Sequence, residues 1–195
     1  MASTRQPKRL VIAGGWHHDS PVTWTAPEVH RAEPPALFSE RTSLESWLEY
    51  HRATLLHKCC GLTGEQLAQR AVAPSSLSLL GLVRHMADVE RWWFRCLLAD
   101  QTELGSLFWS EEFPDGDFDL AASGTAEADF AAFAAECAQA REAAAGRSLD
   151  ETFSHPGSGD RFDLRWLYLH MIEEYARHNG HADLLRERID GVTGD

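Results

Sequence analysis

Four stretches of this sequence repeat apolar residues at steps of three and four, a period that only packed helices use. In the first, 43–60, Leu44, Trp47, Leu48, His51, Leu55 and Cys59 share a face, and Gly61 ends the run. In the second, Ser76 or Ser78 can cap a helix reaching about Asp100, with Leu79, Leu82, Met86, Val89, Trp93 and Leu97 as its buried stripe. Thr125 can cap an alanine-rich third segment to about Ala145, with Phe130, Phe133 and Cys137 inward and Gly146 as its stop. Asp163 can cap the last, which runs to about Asp190 before Gly191 along Leu167, His170 or Met171, Glu174, His178, His181 and Leu185. A helical turn over 64–70 follows the first helix, and no strand-like alternation of useful length is visible. The expected fold is all-α: a four-helix bundle with one long crossover connection, 101–124, whose aromatics (Phe108, Trp109, Phe113, Phe118) anchor it and can roof a pocket.

Ahead of the bundle, 1–38 mixes Pro, Gly, Ser, Thr and charges without a period. This predicts a flexible N-terminal arm over 1–21, in which His17 and His18 are a solvated pair. An extended wrap anchored by Trp24 follows, as the start of a single bundle domain over 22–193. No apolar run approaches the roughly 20 residues of a bilayer crossing, and no signal peptide is read, so a cytoplasmic protein is expected. Cys59, Cys60, Cys96 and Cys137 show no CxxC spacing, and three of them fall within helical patterns. They read as reduced, buried thiols rather than a zinc site. Thirty acidic residues against 18 basic ones give a formal charge of −12, which repels a phosphate backbone and argues against nucleic acid as a partner.

Chemistry is concentrated on the last helix. Glu174 and His178, four residues apart, stack one turn above the other, so a carboxylate oxygen and an imidazole nitrogen can reach one ion. Zinc, iron and nickel all accept that mixed set. An ionised Glu174 within the line Leu167, Met171 and Leu185 would cost several kcal/mol without a partner, and a metal is one such partner. The third ligand must come from another helix, and His85, beside the second helix's buried stripe, points toward the bundle interior or its mouth. His51 and His170 read as core or rim histidines. Trp92 and Trp93 read as core aromatics, with Trp92, two turns beyond His85, a candidate for lining a pocket.

The stretches Leu77-Ser78-Leu79-Leu80-Gly81-Leu82-Val83-Arg84-His85-Met86-Ala87-Asp88-Val89-Glu90-Arg91-Trp92-Trp93 and Glu173-Glu174-Tyr175-Ala176-Arg177-His178-Asn179-Gly180-His181-Ala182-Asp183-Leu184-Leu185-Arg186 resemble the DinB-like superfamily. The nearest branch is the actinobacterial one of mycothiol-dependent S-transferases and maleylpyruvate isomerases, and the resemblance spans roughly 22–193. It implies a crossover four-helix bundle around one metal, with His85, Glu174 and His178 on the ligand positions. Many relatives carry histidine where this chain has Glu174, whereas the maleylpyruvate isomerases resemble it in carrying glutamate. His181 stands where many relatives have glutamine, and reads as a pocket residue rather than a ligand.

The resemblance further implies one divalent metal ion, zinc before nickel or iron, which activates a small-molecule thiol such as mycothiol as a metal-bound thiolate for attack on an electrophilic substrate. His181 is then the catalytic proton acceptor or donor, since an imidazole titrates near ~6.5. A hydrolase using metal-activated water, and a non-catalytic, stress-related metal-binding bundle, are the alternatives. Exposed aromatics are compatible with a homodimer.

Overall fold

The structure, a computed structural model, describes residues 23–193. Helix α1 (Glu40–Cys59) starts three residues earlier than the apolar period shows, because the Ser39 side chain accepts the Thr42 amide and Glu40, Arg41 and Thr42 contribute nothing apolar. Its buried face holds Leu48, Leu55 and Cys59 but not Trp47, which is 46% exposed. Arg52 is buried on that face, and its guanidinium grips Glu90 at 2.7 and 2.5 Å. This buried ion pair, which a hydropathy period cannot register, takes a place on the face where Trp47 was expected.

A short helix α2 (Gly64–Ala68) follows, closed at its start by a capping box between Thr63 and Gln66. Ser78, not Ser76, caps α3 (Leu79–Glu90) by accepting the Gly81 amide. The regular helix expected to reach Asp100 instead passes into a π-helical segment, Arg91–Leu98, which ends on a bond from the Ala99 amide to the Phe94 carbonyl. The crossover is not bare loop. It carries a short helix α4 (Gly116–Asp119) and 3-10 turns at Thr102–Leu104 and Ser123–Thr125.

Helix α5 (Ala126–Ala144) buries Phe130, Phe133 and Cys137 as expected, with Ala140 on the same face. Thr125 does not cap it: its hydroxyl accepts no helix amide and instead donates to Asp129 at 2.7 Å. The expectation of no strands fails at one place: β1 (Thr152–Ser154) and β2 (Arg161–Asp163) pair antiparallel, Phe153 opposite Phe162. Strands of three residues are too short for alternation to show in sequence, and only the intervening Pro156 to Gly159 turn was legible.

Asp163 then caps α6 (Leu164–Asp190) by accepting the Trp166 amide, and Gly191, at φ 78°, closes it in the left-handed conformation that glycine adopts freely. The centre of its buried face is Leu167, Tyr168, Met171, Tyr175, Ala182 and Leu185. Glu174, His178 and His181 are half-buried along one edge of that face.

Within the bundle α1 packs on α6 and α3 on α5, with α3 also reaching α6. One cluster of buried apolar residues fills the space between them. Trp24 anchors the extended wrap edge-on to Phe130 at 5.3 Å, and Ala26 exchanges backbone hydrogen bonds with Gly61 and Leu62. The expected arm 1–21, with His17 and His18, lies outside the described residues. Among those described, all four cysteines are free, and no helix is long and apolar enough to cross a membrane.

Candidate metal centre

Three residues from neighbouring turns of α3, Arg84, His85 and Asp88, fasten the crossover to the bundle. Arg84 donates to the carbonyls of Gly116 and Asp117 at 3.0 and 2.9 Å and pairs with Asp129 at 3.1 Å. Asp88 accepts from the Ser106 hydroxyl and the Leu107 and Phe108 amides. Between them, the Nδ1 of His85 lies 2.8 Å from a carboxylate oxygen of Asp117. Gly81 makes this approach possible, since a Cβ there would stand 2.6 Å from the Phe118 ring. Phe118 instead stacks on the His85 imidazole, with ring centroids 5.5 Å apart.

The Asp117 contact settles which His85 nitrogen is available. A carboxylate only accepts, so Nδ1 carries the proton and Nε2 presents a bare lone pair. Such a carboxylate behind a histidine is the usual support of an imidazole ligand.

Across from it, α6 places Nε2 of His178 3.4 Å from a carboxylate oxygen of Glu174. Two ligands held ~2.1 Å from one ion in tetrahedral geometry stand about that far apart. The His85 and His178 rings are 4.8 Å apart at their centroids. One donor atom from each of His85, Glu174 and His178 falls within 4.8 Å of the other two, so the predicted triad is brought together. Two imidazoles and one carboxylate on two packed helices suit zinc, nickel or iron, and three protein donors leave a coordination position open.

Glu174 is less isolated than its sequence context implied. Its side chain keeps 17% exposure, and Arg177 stands 3.8 Å away, so desolvation alone gives a weak reason for a metal. The convergence of the donors is the stronger reason.

Burial, followed by the neighbouring His85 and His181, pushes the His178 imidazole down to about 4. It is therefore neutral at neutral pH, with no positive charge to oppose a cation.

His181 stands outside the ligand set. Its Nδ1 is 3.4 Å from Nδ1 of His178, and the rings meet edge to face at 5.3 Å. His51 packs near Asn179, which donates to the His51 carbonyl at 3.1 Å, and takes no part in the cluster. His170 stacks on Trp166 at 4.8 Å and, with Glu173 and Glu174, forms a second grouping of possible donors. In that grouping Glu173 is already engaged by Arg177.

Beside His85 a cavity of about 620 Å³ opens under the crossover, walled by Trp92, Trp93, Trp109 and Phe118. Trp92 thus lines a pocket, as its spacing from His85 allowed, and Trp93 joins it although it reads as a core residue. Asp117 is the functional candidate missed by sequence reasoning. It sits in the acidic crossover, on the four-residue helix α4, where no periodicity singles it out.

A crossover four-helix bundle whose second and last long helices bring two histidines and a glutamate together defines a DinB-like protein. The chain belongs to the mycothiol S-transferase family, whose model matches residues 43–191. No curated protein matches the chain.

Proposed function

We propose that this protein is a metal-dependent thiol S-transferase that joins a low-molecular-weight thiol, mycothiol by its family, to an electrophile. His85, Glu174 and His178 hold one divalent ion, zinc in the first instance. The convergence of their donor atoms within 4.8 Å carries the reading. When bound, such an ion supplies Lewis acidity that lowers the pKa of a coordinated thiol by several units.

The chain's own residues do the rest. Asp117 holds the His85 ring through Nδ1 and leaves Nε2 as its free donor position. With Nε2 of His178 given to an ion shared with Glu174, its Nδ1 would carry the proton and donate to Nδ1 of His181. A neutral His181 then bears its own proton on Nε2 and offers it toward the pocket, which suits it to protonating a leaving group or steadying developing negative charge.

The protein's cysteines do not compete as nucleophiles. Burial pushes the thiols of Cys59, Cys96 and Cys137 up, and Cys60 is raised likewise, so none is a ready thiolate at neutral pH. This favours a thiol supplied from solution.

Incubating metal-loaded protein with mycothiol and a bimane electrophile, with another thiol, and with none separates the readings. Conjugation only with thiol present is expected. Turnover of an ester or amide without thiol would mean a hydrolase, and no turnover of either kind a binding bundle.

The Asp117→Ala protein is expected to bind zinc about 10–100-fold more weakly in a chelator-competition titration, with its helix content by circular dichroism retained. Unchanged affinity would remove Asp117 from the support of His85.

A further inference from the structure

The cavity beside His85 has a chemical bias of its own. At about 620 Å³ it is the size of a small-molecule site, and its walls are largely indole and phenyl faces. Three carboxylates, Asp88, Asp115 and Asp117, border it, and no lysine or arginine is among the described residues lining it. Arg84, a buried cation beside His85 in the chain, is engaged by the Gly116 and Asp117 carbonyls and Asp129. Arg177 is 56% exposed and engaged by Glu173 and Glu174. Counting Glu174, four carboxylates stand against the two charges of a divalent ion, so the region stays net negative with the ion in place.

Two of these four carboxylates are already engaged as hydrogen-bond acceptors. Asp88 holds one hydroxyl and two amides of the crossover, and Asp117 holds His85 and the Phe118 amide. They repel an anion while offering little to the hydroxyls of a sugar or polyol. That combination suits a flat apolar molecule better than the polyol part of a thiol.

We infer that this cavity receives the electrophile and selects uncharged aromatic electrophiles over anionic ones. The inference rests on the transferase reading and names the second substrate's class. In the reaction the thiol sulfur bonds the electrophilic carbon as the carbon–halogen bond breaks. The halide departs with the bonding pair, and the thiol proton passes to solvent.

Two measurements test it, one of which needs no turnover. Calorimetric titration of the full-length protein with unreactive dinitrobenzene and with dinitrobenzoate is expected to show binding on the order of ten-fold tighter for the uncharged compound. Trp109→Ala should abolish most of that binding. Mycothiol transfer to chlorodinitrobenzene and chlorodinitrobenzoate, each normalised to its uncatalysed rate, should show the same preference in kcat/KM. Asp115→Asn should narrow it.

Equal or tighter binding of the carboxylate, binding of neither compound, or binding insensitive to Trp109→Ala overturns the inference. So does mycothiol displacing dinitrobenzene from the cavity. Selective binding without thiol transfer to any electrophile would leave the cavity's preference standing and instead defeat the transferase reading.

Discussion

The His178→Ala protein, purified after expression in zinc-supplemented medium, is expected to carry less than about a tenth of the metal held by the unaltered chain. His85→Ala should behave alike. Each substitution takes one of three donors from a site where two cannot hold a divalent ion against water and cellular chelators. His178 is also the donor best prepared for ligation. Burial and its two histidine neighbours hold its pKa near about 4, so the neutral form required for binding is already present at neutral pH. Elemental analysis reads the result directly. His51→Ala is the control, since that imidazole lies near Asn179 and outside the cluster. It should keep its metal.

The second large effect concerns stability. Arg52→Met is expected to lower the unfolding free energy by about 3–5 kcal/mol, because it strips the guanidinium from Glu90 and leaves a fully buried carboxylate with the Tyr175 hydroxyl as its remaining partner. Urea denaturation of the metal-free protein measures it. Pairing Arg52→Met with Glu90→Leu should restore most of the loss, since two apolar side chains leave no stranded charge. A single substitution costing less than about 1 kcal/mol would show that the pair is not desolvated as described.

This network also bears on the site. Glu90 stands five residues after His85 on the α3 side, and Tyr175, which donates to Glu90 at 2.7 Å, follows Glu174 on α6. The buried contact therefore ties together the two helices that carry His85 and the Glu174/His178 pair.

The long helices were legible because little besides a packed helix sustains an apolar period over four or five turns, and because Ser78, Asp163 and Gly191 mark their ends as capping chemistry requires. What escaped was decided by groups that period does not count. Trp47 reads as core by hydropathy, yet the buried face of α1 is set by Arg52 meeting Glu90. The π-helical winding after Glu90 and the three-residue strands leave no periodic trace.

The site divides in the same way. Glu174 and His178 announce themselves by a four-residue step on one helix, and His85 by its place beside the buried stripe of another. The Asp117 contact that orients His85 depends on where a 32-residue separation folds back, and only the close approach of α4 over Gly81 reveals it. Likewise the spacing shows His181 on the site's side of α6, but its pairing with Nδ1 of His178 needs ring orientations.

Anomalous diffraction from crystals of the zinc-loaded protein, collected across the zinc edge, is the shortest route to the central claim. The account predicts one peak about 2.0–2.2 Å from a nitrogen of His85, a nitrogen of His178 and an oxygen of Glu174. A peak at His170 and Glu173 instead, or none between the two helices, would contradict it.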